Sequence, residues 1–351
     1  MPHIHGCHLV GSVPLPDSEA VFRQCSQGMP NRLKRIPDGE TGARHWFTFW
    51  QANVFSRSPE LLTNFVLNSP LEARHFTAEE LDQGMAKLTA DGPLQTGYDD
   101  VAIENYAVFK KLRQEGVLPT TTKFQVCIPT AANVITPFVQ FEFQSRVEPV
   151  YEEALHKAMR KIQDHIPHED LSIQIDLAVD TAFWEGVDMY KPWFGDDVKT
   201  YILNYILKMI DQVDQDVDLG LHNCYGDMEH KHWKEPTSLA AVVERGLRII
   251  EKTSHPLNFF HCPVPKSALS TLPAYLEPLK TIAPKLKEHN TELYLGLIHA
   301  DDAEATRKMM DAANHVVDEY GVATECGWGR TPLDQLESIM AISTGVSEPS
   351  I

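Results

Sequence analysis

Eight short apolar runs, each followed by a residue capable of chemistry, constrain this chain more than any other feature. The runs fall at 4–10, 33–36, 123–128, 171–175, 218–221, 257–260, 292–298 and 321–324. Several carry apolar residues at consecutive positions, as in strands of a parallel sheet buried on both faces. Stretches with helical periodicity lie between them, at 147–163, 198–213, 239–252, 276–287, 303–320 and 333–342. In the first of these Val150, Leu155, Met159 and Ile162 recur on one face. Pro278 and Pro284 interrupt the fourth. Eight strand–helix units over 351 residues predict an α/β fold, a (β/α)8 TIM barrel occupying 1–351 as one domain, rather than an open doubly wound sheet.

The residues at the end of each run support the barrel. Gly11-Ser12 closes the first, Asp38-Gly39-Glu40 the second and Pro129-Thr130 the third. Asp176 comes after the fourth, His222 and Cys224 after the fifth, His261-Cys262 after the sixth, His299 after the seventh and Cys326 after the eighth. Barrel enzymes place their active sites at the C-terminal ends of the strands. The pattern weakens at 55–100, where Pro59, Pro70 and Pro93 occur. An insertion after the second strand is expected there, either a lid over the barrel mouth or a plain surface excursion.

Charge narrows the partners. With 31 basic residues against 49 acidic, the formal charge is -18, which disfavours nucleic acid and anionic membrane surfaces. A small-molecule substrate is the partner expected. No apolar run approaches the roughly 18–20 residues needed to span a bilayer. The opening MPHIHGCHLVGSVPL lacks a basic segment followed by a long apolar one, so a soluble, cytoplasmic protein is expected. Six cysteines then read as thiols or metal ligands rather than a disulfide framework. The sequence carries no signal for oligomeric state.

The sharpest local signal is Leu221-His222-Asn223-Cys224-Tyr225-Gly226-Asp227. In an extended segment residues two apart point the same way, so His222 and Cys224 can aim at one point. Imidazole and thiolate are good Zn2+ ligands, and Cys326 brings a second thiol from the end of the last strand. His261 or Cys262, after the sixth strand, offers a fourth ligand. The competing reading makes these cysteines small buried residues and His222 a satisfied core histidine. Asp176 and Glu40 are the candidate acid–base or amine-holding groups near the metal. Asp38 sits in Pro-Asp-Gly, also an ordinary turn signal. Tyr225, His299 and Trp328 are candidate substrate contacts, and Asp301 and Asp302 candidate helix caps. His230 and His232, with Asp227, read as a solvated loop or a pocket wall. His8 is expected inside or near the barrel. Trp184, Trp328, Trp46 and Trp50 can line a pocket for an aromatic or apolar substrate, although packing explains the last two equally well.

Four segments carry a resemblance to the C-terminal, catalytic barrel of cobalamin-independent methionine synthases, and more closely to their shorter stand-alone relatives in the wider uroporphyrinogen decarboxylase-like superfamily. Val10-Gly11-Ser12-Val13-Pro14 resembles the family's opening Gly-Ser-Phe-Pro segment. Ile36-Pro37-Asp38-Gly39-Glu40 resembles the second-strand segment whose Glu contacts homocysteine. Ser172-Ile173-Gln174-Ile175-Asp176 resembles Ile-Gln-Ile-Asp-Glu-Pro, whose Asp holds the amino-acid substrate. The fifth- and eighth-strand segments resemble the zinc-ligand segments. The resemblance thus gives zinc to His222, Cys224 and Cys326, and substrate contacts to Glu40 and Asp176, with Ser12 in the opening segment.

The departures point elsewhere in function. The family's fourth zinc ligand is a sixth-strand Glu, and its place falls to His261. Asp-Glu-Pro has become Asp176-Leu177-Ala178, and the third-strand segment Cys127-Ile128-Pro129-Thr130-Ala131-Ala132 lacks the Trp of the folate site. The expectation is a zinc-dependent transferase that activates a thiol or thioether for alkyl transfer, without methylfolate-dependent methionine synthesis. A zinc-dependent lyase or hydrolase acting on a small metabolite, aromatic or not, and a non-catalytic metal- or ligand-binding barrel are the alternatives.

Overall fold

The computed structural model describes residues 3–63, 74–188, 191–226 and 231–351. Its strands are β1 (His3–His8), β2 (Arg35–Pro37), β3 (Lys123–Pro129), β4 (Leu171–Leu177), β5 (Asp218–Asn223), β6 (Phe259–Pro263), β7 (Glu292–Gly296) and β8 (Glu319–Ala323). They form one parallel sheet in the order β1-β8-β7-β6-β5-β4-β3-β2. A parallel bridge from Cys7 to Leu33 joins the two ends of that order. The chain is therefore the expected TIM barrel. Its outer helices include Ser18–Gly28, Tyr98–Gln114, Phe141–His165, Val198–Ile210, Ala240–Lys252, Leu279–Glu288, Ala303–Ala313 and Leu336–Val346. No helix among the described residues is long and apolar enough to cross a membrane.

Boundaries shift where local pattern and tertiary pairing compete. The helix expected at 303–320 stops at Ala313, and Glu319 already belongs to β8. The run at 257–260 is displaced, because β6 begins at Phe259 and continues to Pro263. His222 and His261 are thus inside strands rather than beyond them. Asp302 does cap the helix Ala303–Ala313, its carboxylate accepting from the N–H of Ala305 at 3.0 Å.

The interior of the barrel is unusually polar and stacked in layers. At the bottom Arg35 of β2 reaches across to Asp218 of β5, and its Nη1 lies 2.7 Å from Glu292 of β7. Above them His8 Nε2 meets Gln174 Oε1 at 2.8 Å. These residues belong to β1 and β4, which are not neighbours, so they meet inside the barrel. The Phe259 ring fills the same level, and Gly220 beside it leaves room: a Cβ there would lie 2.3 Å from that ring. The top layer is set by register. Asp176 pairs with His222 and His222 with His261. Directly paired residues of neighbouring strands share a face, so all three point inward below the mouth.

The segment after β2 divides in two. Residues 42–55, in short 3-10 turns, cover the mouth. The expected insertion at 55–100 instead packs sideways: Leu62 bridges to Val139, and Gly84 lies against Phe143. The described part of 55–100 thus takes the second of its two expected forms, a surface excursion, and the cover comes from just upstream of it. The part of the insertion at 64–73, including Pro70, lies outside the described residues, as do Asp227 and His230.

Candidate metal centre

At the C-terminal ends of β5 and β8, three metal-type side chains converge. Ligand atoms of His222, Cys224 and Cys326 all lie within 4.8 Å of one another. The two sulfurs are 3.8 Å apart, far longer than the ~2.05 Å of a disulfide. Two sulfurs each ~2.3 Å from one tetrahedral zinc would stand about 3.8 Å apart. The donor set and the spacing fit a soft or borderline cation.

Each sulfur has a hydrogen-bond donor beside it. The Gly226 N–H donates to Cys224 Sγ at 3.3 Å, and Arg330 Nη2 donates to Cys326 Sγ at 3.5 Å. Gly226 has a φ of 80°, and a Cβ there would come within 2.4 Å of the Trp233 ring. Only glycine lets the indole lie on the backbone beside Cys224. The Cys326 loop is braced against the segment that follows β1: the Trp328 N–H donates to the Ser12 carbonyl at 2.6 Å, and Gly329 N–H to Ser12 Oγ at 3.2 Å.

His261 departs from its expected role as fourth ligand. Its Nε2 lies 3.0 Å from the Thr324 carbonyl, which can only accept. Burial lowers the His261 pKa to about 4, so the ring is neutral with its proton on Nε2. Its bare Nδ1 then accepts from His222 Nδ1–H at 2.8 Å. Both nitrogens of His261 are engaged, and His222 is left with its lone pair on Nε2. Burial, with His261 and His8 nearby, lowers the His222 pKa well below its ordinary value, so it too is neutral. A metal-binding imidazole held by a second group in this way is the usual outer-shell arrangement.

Glu40 and Asp176 do come together. With Cys127 their side-chain atoms lie within 4.8 Å of one another, and both acids line the cleft over His222, Cys224 and Cys326. The turn that presents Glu40 is strained, with φ of 81° at Gly39 and 47° at Glu40. Burial pushes Glu40 up to about 7; Arg44 and Arg330 oppose the rise and Asp38 adds to it. Burial and then Glu40 push Asp176 well up, while Gln174 Nε2 donates to its Oδ1 at 2.8 Å.

The expected substrate contacts separate into groups. Ser12 lines the cleft with the acids. Asp38 does not, because its carboxylate is consumed by the Glu40 N–H at 2.8 Å, Arg44 at 2.7 Å and Asn105 at 2.7 Å. It holds the strained turn. Tyr225, His299 and Trp328 line a second, more polar cleft on the far side of Cys224 and Cys326, together with His232 and Glu325. There Trp328 Nε1 donates to Thr324 Oγ1 at 2.9 Å, Tyr225 donates to the Ser238 carbonyl at 3.3 Å, and His299 Nε2 to the Val264 carbonyl at 3.0 Å. These three brace the loops. His232 lies 3.2 Å from Glu325 as part of that pocket wall.

The first cleft also has a wall that sequence reasoning finds only in part. Trp46, Phe47, Phe49, Phe138 and Trp233 line it, and of these only Trp46 stands among the expected pocket residues. Phe47 holds a φ of 54°, a conformation sparsely populated by bulky residues. Trp50 turns away to pack edge-on against Tyr98 at 4.8 Å, and Trp184 is buried behind β4 and β5, with Nε1 donating to Glu244 at 3.1 Å. Arg330 escapes sequence reasoning as well; its only signal is its place four residues beyond Cys326.

Fold and site together define a (β/α)8 barrel with an imidazole–dithiol cluster at its C-terminal mouth. No family model and no curated protein matches the chain. Among solved structures it is similar to the crystal structure of the FimX EAL domain, over 74% of this chain and 90% of that one. The identity is 13% and the TM-score 0.30, too slight a likeness to bear on activity.

Proposed function

We propose that this protein is a zinc-dependent enzyme that activates a thiol or thioether for alkyl transfer. The observation that carries the reading is the 3.8 Å approach of the Cys224 and Cys326 sulfurs beside His222, on the floor of a cleft shared with Glu40 and Asp176. Three protein ligands leave one tetrahedral position for substrate, as in catalytic rather than structural zinc sites. Two thiolate ligands favour a sulfur substrate over hard Lewis-acid chemistry. When bound, the metal would take the substrate sulfur and lower its thiol pKa, so that thiolate is present at neutral pH.

The chain's own groups supply the rest. His261 holds the tautomer of His222. Arg330 and the Gly226 N–H hold negative charge on the two cysteines. Glu40, near neutrality in its pKa, takes or returns a proton at the substrate or holds its amine with Asp176, the role the methionine synthase resemblance implies. Methylfolate-dependent methionine synthesis is not proposed: the third-strand segment has no Trp and runs directly into the helix Ala132–Phe138. A lyase or hydrolase remains the second reading, favoured by a single feature, the carboxyl of Glu40 poised to exchange a proton at neutral pH.

Cobalt substitution tests the first reading. Adding homocysteine or another thiol should intensify and shift the sulfur-to-cobalt charge-transfer bands that Cys224 and Cys326 already give. If no thiol perturbs the metal spectrum, alkyl transfer is excluded. Metal analysis of His222→Ala and Cys326→Ala tests the centre itself, and full zinc stoichiometry in both variants would sink it.

A further inference from the structure

We infer that the thiol taken at this centre carries an aromatic or similarly planar apolar body, housed between Trp46, Phe49, Phe138 and Trp233. The inference rests on the thiol reading above and adds the class of substrate. The cleft combines polar and aromatic lining. Ser12, Glu40, Asp176, Arg330 and the His222–Cys224–Cys326 cluster line it together with the aromatic side chains, and Trp233 lies beside Gly226, two residues from Cys224. Trp46, Phe49 and Trp233 are only half-buried, so a ligand lying on them removes further apolar surface from water. The rings form an edge-to-face frame, Trp46 to Phe49 at 6.1 Å and Phe49 to Phe138 at 5.4 Å.

Two features show that this wall is built rather than incidental. Phe47 is held in the left-handed region, and Gly226 must lack a side chain for Trp233 to lie beside Cys224. The cleft brings these rings and the His222–Cys224–Cys326 cluster into one space. Among its described lining side chains the guanidinium of Arg330 is the permanent cation, and it is directed at Cys326. Among the described lining residues the aromatic side chains offer an anionic body no cation. The ligand is therefore amphiphilic, with sulfur toward the metal ligands and a planar uncharged body toward the rings.

The test compares phenylmethanethiol with 2-mercaptoethanol on the cobalt-substituted protein, read by the charge-transfer bands. Phenylmethanethiol should half-saturate at a concentration about tenfold lower or more. Trp46→Ala and, separately, Phe49→Leu should each remove most of that preference, the thiol-free cobalt spectrum reporting whether the metal cluster is intact in each variant. Equal half-saturation by the two thiols, or a preference untouched in both variants, overturns the inference while leaving thiol binding standing. If neither thiol enters the metal sphere, the thiol reading fails. Toluene then decides the cleft: saturable quenching of tryptophan fluorescence in the wild type, lost in Trp46→Ala, supports the aromatic site, and its absence overturns it.

Discussion

His222 and His261 face each other across the β5–β6 pair with their Nδ1 atoms 2.8 Å apart, and His261 is anchored in turn by the Thr324 carbonyl. The sixth-strand residue therefore acts on the imidazole–dithiol cluster through His222. It is a positioning residue, and Thr324 ties it to the loop that carries Cys326.

Replacing His261 should weaken the centre without abolishing it. In His261→Ala, zinc affinity measured by chelator competition is expected to fall about 10–100-fold, with one zinc still bound at saturation. An unchanged affinity would remove the positioning role, and loss of stoichiometric binding would make His261 a ligand after all.

Glu40 should cost stability at neutral pH. Its pKa is raised to about 7 by burial, above the ordinary carboxylate range of an unfolded chain. The protonated form is thus favoured in the fold, and stability falls as pH rises from about 4.5 through about 7. Glu40→Gln should be more stable than the wild type by roughly 2–3 kcal/mol at pH 8, with the gap closing by pH 4.5. Urea unfolding at the two pH values reads this, and a gap independent of pH would contradict it.

Glu292 carries the opposite sign. Burial alone would raise its pKa, but Arg35 and Lys34 overcome that and hold it at about 2. Its contribution is present above about pH 4.5 and is lost as pH falls toward about 2. Glu292→Gln should destabilise the barrel by about 3 kcal/mol at pH 7 and flatten the acid limb of the stability curve. An acid limb as steep as the wild type's would assign acid unfolding to other carboxylates.

Gly226 should tolerate no side chain. Alanine there meets both a φ of 80° and the Trp233 ring at 2.4 Å, and a loss of about 1–3 kcal/mol is expected. In a Trp233→Ala background the ring clash is gone and only the backbone strain remains, so the same change should cost about 1 kcal/mol less. Equal costs in the two backgrounds would show that the indole does not rest on this glycine.

Much of the site was legible because it is local. His222 and Cys224 lie two apart on an extended segment, and that spacing alone aims them together. Glu40, Asp176 and Cys326 come after apolar runs, and strand ends converge at a barrel mouth whatever the loops do. The long-range facts were not legible. Whether His261 binds metal or supports His222 depends on a one-to-one register between β5 and β6, which apolar patterning cannot resolve over a short strand. The true span of β6, from Phe259 to Pro263, was displaced from the apolar run for the same reason.

The sequence by itself determined eight strand–helix units and the chemical kind of residue at each strand end, because periodicity and turn residues act over a few positions. Only the tertiary structure decided which of those residues meet. It brought Cys224 to Cys326 across 102 residues and turned His261 from ligand to support. It committed Asp38 to a turn, and it raised an aromatic wall from Trp46, Phe49, Phe138 and Trp233 beside His222, Cys224 and Cys326. Convergence of that kind is a property of barrel closure and strand register, which arise from the packing of the whole sheet and leave no mark on any single segment.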